Sequence, residues 1–199
     1  MIKELLSSIE NYIRAGGVVM IPILVISFCM WILIINRLLF LHRLYVKNIS
    51  RDRAGRLVKT NQWPEDKYQG INSVLVRQFL AARSHDPVLD GFILDETVVK
   101  LVSSLDSYLG AIRVMAGIAP LLGLLGTVIG MMETFDVITI FGTGNAKAMA
   151  GGISVALITT QTGLMVSIPG LYMSGFLTKR ANNLKYKIAA TGMYLSRFL

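Results

Sequence analysis

Three long stretches of the sequence carry no charged residue, and they constrain the fold more than any other feature. They cover residues 15–36, 114–132 and 148–178. A helix needs about 20 apolar residues to cross the hydrocarbon core of a bilayer, and each stretch supplies that length. Charged residues make up only 16% of the chain, whereas soluble domains are about one quarter charged. Each stretch is therefore predicted to be a transmembrane helix.

The distribution of the basic residues predicts how these helices are oriented. Basic residues crowd behind the first and third stretches, whereas the short connection between the second and third contains only one lysine. Segments rich in Lys and Arg near the ends of a span stay in the cytoplasm. The net charge of +8 is thus explained by topology, and no nucleic-acid partner is predicted. The basic residues behind the two stretches are Arg37, Arg43, Lys47, Arg51, Arg53, Arg56 and Lys59, then Lys179, Arg180, Lys185 and Lys187.

These features predict an all-α integral membrane protein with three transmembrane helices and a helical cytoplasmic extension. Its N-terminus lies outside and its C-terminus in the cytoplasm. Glu4 and Glu10 are atypical of a cleaved signal peptide, so the N-terminal segment is expected to be retained. The predicted order is a periplasmic amphipathic helix (1–15), transmembrane helix 1 (16–40), a cytoplasmic helical segment (41–112), transmembrane helix 2 (113–133), a periplasmic loop (134–150), transmembrane helix 3 (151–178) and a cytoplasmic tail (179–199).

The cytoplasmic segment shows helical patterns separated by turn signals. The basic helical run breaks at residues 61–66, and a second helix is predicted over residues 71–84, ended by Asp86 and Pro87. Apolar residues then recur at steps of three and four from Leu94 to Met115. This stripe predicts one unbroken helix that leads into the second span and packs against its neighbours.

Small residues in the second span predict where another helix packs. Gly123, Gly126 and Gly130 follow one another at steps of three and four, so they share one helix face. Such faces allow the close approach of helices in lipid. The run does not predict a phosphate-binding loop, because no Gly-Lys-Ser/Thr follows it and no strand precedes it.

Residues 153–170 read ISVALITTQTGLMVSIPG, with hydroxyl and amide groups in the middle of an apolar span. Each threonine could bond to a carbonyl of its own helix, and Gln161 could bond to a neighbouring helix. The clustering favours a common polar surface that could form a proton path. No acidic residue lies at that depth, so a proton carrier would have to come from another polypeptide. The candidate pore-lining residues are Thr127, Ser154, Val155, Thr159, Thr160 and Gln161, with Ser167 extending the polar series.

Two motifs resemble the second and third transmembrane helices of the MotA/TolQ/ExbB proton-channel family. They are APLLGLLGTVIGMMETF and GGISVALITTQTGLMVSIPG, and the length of the chain is closer to ExbB and TolQ than to MotA. The resemblance implies a homopentamer around the transmembrane helices of a dimeric ExbD/TolR-like partner, whose aspartate takes up and releases protons. It also implies that Thr127 and Thr160 face that aspartate, and that Pro120 and Pro169 shape the helices.

One position departs from the family pattern. Many ExbB and TolQ proteins carry a glutamate in the motif G-I-x-E-A-L, where this chain has Val155 in GISVAL. The resemblance to the flagellar members remains, because they lack that acid too. Gln161 either supplies part of the lost polarity or makes a structural hydrogen bond between helices, and the two interpretations are left open.

The resemblance implies a motor subunit of the bacterial inner membrane that is driven by the proton-motive force. It would act through a TonB-like or a TolA-like protein, with H⁺ or Na⁺ as the coupling ion. The alternatives are a non-conducting membrane scaffold and, within the family, a Tol-type or flagellar-type stator subunit. Neither an enzyme nor a cofactor or metal site is predicted. The sequence has one cysteine, Cys29, two isolated histidines, His42 and His85, and no nucleophile–base pair.

Overall fold

The computed structural model describes residues 12–13, 15–46, 48–65 and 67–198. These residues form helices and connecting segments, without a β-strand among them. Short 3₁₀ turns at Gly142–Gly144 and Ser196–Phe198 follow the two longest helices. The α-helices are α1 (Met20–Val46), α2 (Arg51–Lys59), α3 (Ile71–Ala82), α4 (Pro87–Asp106), α5 (Leu109–Phe141) and α6 (Ala146–Leu195).

Three helical stretches of the described residues are long and apolar enough to cross a membrane. They are Met20–Val46, Pro87–Gly144 and Ala146–Phe198. The prediction of an all-α membrane protein with three transmembrane helices is thereby confirmed. Helix ends do not mark the surfaces of a bilayer, so the bounds of the predicted segments and the orientation of the chain stay predictions. Most of the predicted amphipathic helix at 1–15 lies outside the described residues.

The prediction of one unbroken helix leading into the second span is wrong. Helix α4 ends at Asp106, and Tyr108 has a φ of 64°, which interrupts the helix before α5 begins at Leu109. Two basic side chains contact this break: Arg37 donates a 2.7 Å hydrogen bond to the carbonyl of Ser104, and Lys185 lies 2.5 Å from Asp106. The helical spacing of apolar residues continues across the break from Leu105 to Ile112, so it does not predict these long-range contacts.

The ends of the other helices follow local signals in the sequence. Helix α3 ends at Ala82, two residues before its predicted end, and α4 begins at Pro87 after the N-cap Asp86. The Asp86 carboxylate accepts a 2.9 Å hydrogen bond from the backbone N–H of Val88, which satisfies a free donor of the first turn. Helix α5 continues to Phe141 and ends before Gly142, whose φ is +66°. Helix α6 continues through the predicted tail.

Contacts divide the described residues into two compact units. The first comprises the described residues up to Ile34 together with Ala111–Ser174, and it contains all the candidate pore residues. The second comprises Ile35–Gly110 together with the described residues from Gly175 onward. In the second unit, Asn72 donates to the carbonyl of Ile49 at 2.9 Å and accepts from Thr191 at 3.1 Å, which joins the start of α3 to the end of α6.

Candidate functional site

The glycines of α5 lie where the backbone of α6 comes closest. A Cβ atom added to Gly123 would lie 3.1 Å from the Cα of Thr160, and one added to Gly130 would lie 2.7 Å from the backbone nitrogen of Ala156. At Gly126 the added atom would overlap the side chain of Thr159. Because there is no room for a larger residue, these glycines permit the close packing of the two helices.

Helix α6 contributes small residues of its own to this contact, and none of them was predicted to pack against α5. A Cβ added to Gly163 would lie 2.7 Å from the carbonyl oxygen of Ala119, and one added to Gly152 would lie 2.5 Å from that of Gly130. Ser167 donates a 2.7 Å hydrogen bond to the carbonyl of Ala116. The signal was present in α6, where Gly152, Ala156, Gly163, Ser167 and Gly170 follow one another at steps of three, four and seven.

Thr159 is buried in the contact between the two helices. Its side chain is 0% exposed and packs over Gly126. The hydroxyl donates to the carbonyls of its own helix, at 2.9 Å to Val155 and 3.1 Å to Ala156. Within this chain, Thr159 therefore holds the helix pair together and is not open to a second molecule.

Thr127 and Thr160 are both half-buried and lie on the same flank of the α5–α6 pair. Gly126 and Thr159 contact each other across the pair; Thr127 follows Gly126 by one position, and Thr160 follows Thr159 by one position. One position along an α-helix is a rotation of about 100° about the helix axis, in the same sense for both helices when each is viewed along its own chain direction. The helices are antiparallel, because Gly123 packs at Thr160 and Gly130 packs at Ala156. In an antiparallel pair, equal rotations past the contact turn both side chains to the same side. We call this side the threonine flank.

The hydroxyl groups of the threonine flank donate to backbone carbonyls. Thr127 donates to Leu124 at 2.7 Å, and Thr160 lies within hydrogen-bond distance of Gly123 at 3.2 Å and of Ala156 at 3.1 Å. Each hydroxyl oxygen still has lone pairs that can accept a hydrogen bond. The flank therefore offers acceptors to an incoming donor.

The N-terminal segment covers the opposite flank of the pair. Thr162 lies 3.1 Å from the hydroxyl of Tyr12, and a Cβ added to Gly17 would lie 3.4 Å from Val155. Ile158 precedes Thr159 by one residue, so it is turned to the side opposite Thr160, and it packs near Gly16. Among the described residues, the threonine flank thus has no such cover, and Leu124, Val128 and Leu157 around it are 52–67% exposed.

The remaining candidate residues lie elsewhere on the two helices. Ser154 and Gln161 are both exposed and lie two turns apart on α6. Gln161 has no hydrogen-bond partner among the described residues, so the structure contains no interhelical bond from its amide. Pro120 and Pro169 are half-buried inside α5 and α6, and neither proline ends its helix.

Val155 lines a groove of about 470 Å³ that also contains Glu133 of α5 and Ser154. Among the described residues that line this groove, Glu133 is the one acidic side chain. Val155 stands where the family pattern has a glutamate on α6. A different carboxylate, that of Glu133 on α5, lines the same groove. Within the described residues, no group of three possible ligands that could hold a metal ion is found.

Comparison with known proteins identifies the family. Residues 68–190, more than half of the chain, match the sequence model of the MotA/TolQ/ExbB proton channel family. The chain belongs to this family. The match contains α5, α6 as far as residue 190, and the whole threonine flank. Members of this family are channel and transport subunits rather than enzymes, which agrees with the prediction from the sequence.

Individual relatives carry ExbB names. A protein of Synechocystis named ExbB-like 1 is 30% identical over 189 residues, which cover 90% of this chain and 74% of the relative. An ExbB homolog of Methanothermobacter thermautotrophicus is 29% identical over 85% of this chain and 63% of its own length. The biopolymer transport protein ExbB of Aquifex aeolicus is 38% identical over 81 residues, or 41% of this chain and 55% of the relative. This MotA/TolQ/ExbB-family chain is thus a multi-pass membrane protein related to biopolymer transport proteins.

Proposed function

We propose that this chain is the channel-forming subunit of an inner-membrane motor driven by the proton-motive force. It works with an ExbD/TolR-like partner that has a single transmembrane helix, and it supplies energy to TonB-dependent transport across the outer membrane. Membership of the proton channel family and the ExbB names of its relatives support this proposal. The observation that carries it is the threonine flank, which is half-exposed and left uncovered by the described part of the chain.

In the proposed assembly, a homopentamer surrounds the helices of a partner dimer, and the threonine flanks face inward. The basic ends at Arg43 and at Lys179 and Arg180 lie in the cytoplasm, as the distribution of Lys and Arg predicts. The N-terminus lies in the periplasm. The uncharged stretches at 114–132 and 148–178 contain no acid, so the proton carrier is an aspartate of the partner helix.

The chemistry of the threonine flank suits an aspartate that changes its protonation state. Thr127 and Thr160 already donate their hydrogens to backbone carbonyls, so their oxygens are acceptors. A protonated carboxylic acid has an O–H that these oxygens can accept, whereas an ionised carboxylate has no hydrogen to donate to them. The flank therefore favours the protonated acid, and the charged acid returns to water.

The energy of one proton is sufficient for such a step. A proton that crosses a potential of 100 mV releases about 2.3 kcal/mol. A hydrogen bond contributes about 1 kcal/mol to stability. One proton can thus offset the exchange of about two hydrogen bonds, which is enough to bias the rotation of a partner helix from one subunit to the next.

The double substitution Thr127→Val and Thr160→Val tests the proposal. It removes both acceptors and keeps the side-chain shape, so we expect normal insertion and assembly with at least tenfold slower proton flux, the effect of about 1.4 kcal/mol. Flux is measured with a pH-sensitive dye in vesicles that contain the chain and a single-span partner of the ExbD/TolR kind. Thr162→Val is the matched control, because Thr162 lies on the opposite flank. Wild-type flux in the double variant would contradict the proposal.

A second candidate function is a non-conducting scaffold. The hydroxyls of Thr127, Thr159 and Thr160 all have carbonyl partners within the chain, as expected for groups that only satisfy helices in lipid. A scaffold requires no aspartate-bearing partner and shows no partner-dependent proton flux. Vesicles with and without the partner distinguish the two functions, because only the motor gains flux when the partner is added.

A further inference from the structure

A shallow groove of about 480 Å³ lies beside the C-terminal half of α1, within the second unit. It is lined by Leu39, His42, Arg43, Val46 and Gln69. Leu39 and Val46 are 62% and 60% exposed, and the two basic residues between them are exposed as well. The groove therefore combines apolar ends with a basic centre, and none of the described residues that line it is acidic.

The positive charge in this groove has no partner within the described residues. Arg53, Arg83 and Lys185 of the same unit each have a carboxylate within 3.0 Å. Arg43 and His42 have neither an ion pair nor a hydrogen bond to a described residue. An anion from outside the chain can therefore bind the Arg43 guanidinium without displacing an internal contact.

The predicted end of the first span puts the groove at the depth of lipid headgroups. The predicted span ends at residue 40, so Arg43 is about 4.5 Å of helix beyond it. The headgroup region on each side of a bilayer core is about 5–8 Å thick. Ile35 and Leu39 lie on the same face of α1 at steps of four before Arg43 and are exposed, so that face continues from the headgroup region toward the hydrocarbon.

We propose that this groove binds the headgroup phosphate of an anionic phospholipid of the phosphatidylglycerol class. The Arg43 guanidinium donates to the phosphate oxygens, and His42 and the Gln69 amide lie at the groove to donate to the same headgroup. The acyl chains lie along Leu39 and Ile35. A free phosphate ion has the same anionic group, but it would leave those apolar side chains uncovered, so the lipid is the occupant that satisfies both parts of the groove.

Lipid binding to the purified full chain in nanodiscs tests this proposal. Phosphatidylcholine nanodiscs receive increasing fractions of phosphatidylglycerol, and native mass spectrometry counts the retained lipids. Arg43→Gln is expected to weaken the retention of phosphatidylglycerol about fivefold, the effect of one basic residue at a membrane surface. Arg51→Gln is the matched control, because Arg51 is exposed, is the first residue of α2 and lies outside the groove. Equal retention by both variants would overturn the proposal.

Two further arms distinguish the occupants. Inorganic phosphate at millimolar concentration is expected to leave the retained lipid in place, and its displacement of the lipid would show a site for small anions instead. A photoreactive amino acid at position 69 is expected to cross-link to phospholipid. Cross-linking to a second copy of the chain, with no lipid adduct, would show that the groove is an interface between subunits and would also overturn the proposal.

Discussion

At the residue scale, one position along α6 separates two different roles of threonine. Thr159 is fully buried over Gly126, whereas Thr160 is half-buried and turned toward the threonine flank. Both hydroxyls satisfy their own donors on helix carbonyls, so the difference lies in packing and not in hydrogen bonding. Thr159 sets the distance between α5 and α6, and that distance determines the positions of the Thr127 and Thr160 side chains.

Gly126→Ala tests the packing role at this scale. The added methyl group would overlap the Thr159 side chain, and overpacking of this kind costs about 1–3 kcal/mol. We expect a lower midpoint of thermal unfolding in detergent, partly restored by a second substitution, Thr159→Ala, which removes the overlapping Oγ1 and Cγ2 atoms and leaves the Cβ. In the matched control, Gly117→Ala on the same helix, the added methyl meets no atom within 4 Å. If Gly126→Ala were as stable as this control, the close contact would be refuted.

The sequence predicted the polar cluster and the glycine face, but not which threonine is buried. Thr159 and Thr160 have the same chemistry and adjacent positions, so their roles depend on which face of α6 meets α5. The face of α6 that meets α5 is set by Gly152 and Gly163 of α6 together with the residues of α5 that they contact. It therefore depends on the sequences of two helices. The exposure of Gln161 likewise depends on packing that its own residue type does not encode.

At the element scale, a buried ion pair fixes the start of α4. Asp90 is 2% exposed and accepts hydrogen bonds from the backbone N–H of Ser84 at 2.8 Å and from Arg83 at 3.0 Å. Burial alone would raise the pKa of Asp90, but the hydrogen bonds from Ser84 and Arg83 together lower it below its usual value. Because Arg83 also donates to the carbonyl of Val58, the cluster joins α2, α3 and α4.

Asp90→Asn tests this cluster and its pH dependence. The substitution removes the charge that Arg83 faces, and we expect a loss of about 2 kcal/mol in the local stability of α3 and α4 at neutral pH. Because the pKa of Asp90 is lowered in the folded protein, its stabilising effect is complete above the unfolded pKa, near 3.9, and is lost as the pH falls through the folded value. The difference between wild type and variant therefore shrinks in acid.

Hydrogen exchange of peptides that cover residues 71–106 measures this local stability. Glu96→Gln is the matched control, because Glu96 pairs with Lys100 on the surface of the same helix, where both side chains are more than 60% exposed. That exposed pair is worth about 0.5 kcal/mol or less. Equal exchange rates in the two variants, or a difference that grows in acid, would refute the role of the buried pair.

The helix ends show which structural features are encoded locally. Asp86 and Pro87, which predicted the end of α3, also mark the start of α4, because an N-cap aspartate and a proline in the first turn act within a few residues. The break at Tyr108 was not predicted, since the apolar stripe runs through it and its contacts come from Arg37 and Lys185, distant in the sequence. The helices could therefore be predicted from local sequence signals, whereas the break at Tyr108 depends on contacts between residues that are distant in the sequence.

At the scale of the whole molecule, the central claim is that the threonine flank faces the helix of another polypeptide. The described residues of the N-terminal segment cover the flank that contains Val155 and Thr162, so within the described part of the chain the two sides of the α5–α6 pair are distinct. The chain belongs to the MotA/TolQ/ExbB proton channel family, and the occupant that we propose for the open side is the aspartate-bearing helix of the partner. A direct measurement of which flank meets that helix decides the claim.

Disulfide cross-linking provides that measurement. The native cysteine is first removed by Cys29→Ser, and Thr160→Cys or Thr162→Cys is then combined with a cysteine placed one helical turn from the partner's aspartate. The account predicts that the Thr160→Cys protein forms an oxidant-dependent cross-link with the partner and that the Thr162→Cys protein does not. A cross-link from position 162 with none from position 160 would contradict the account.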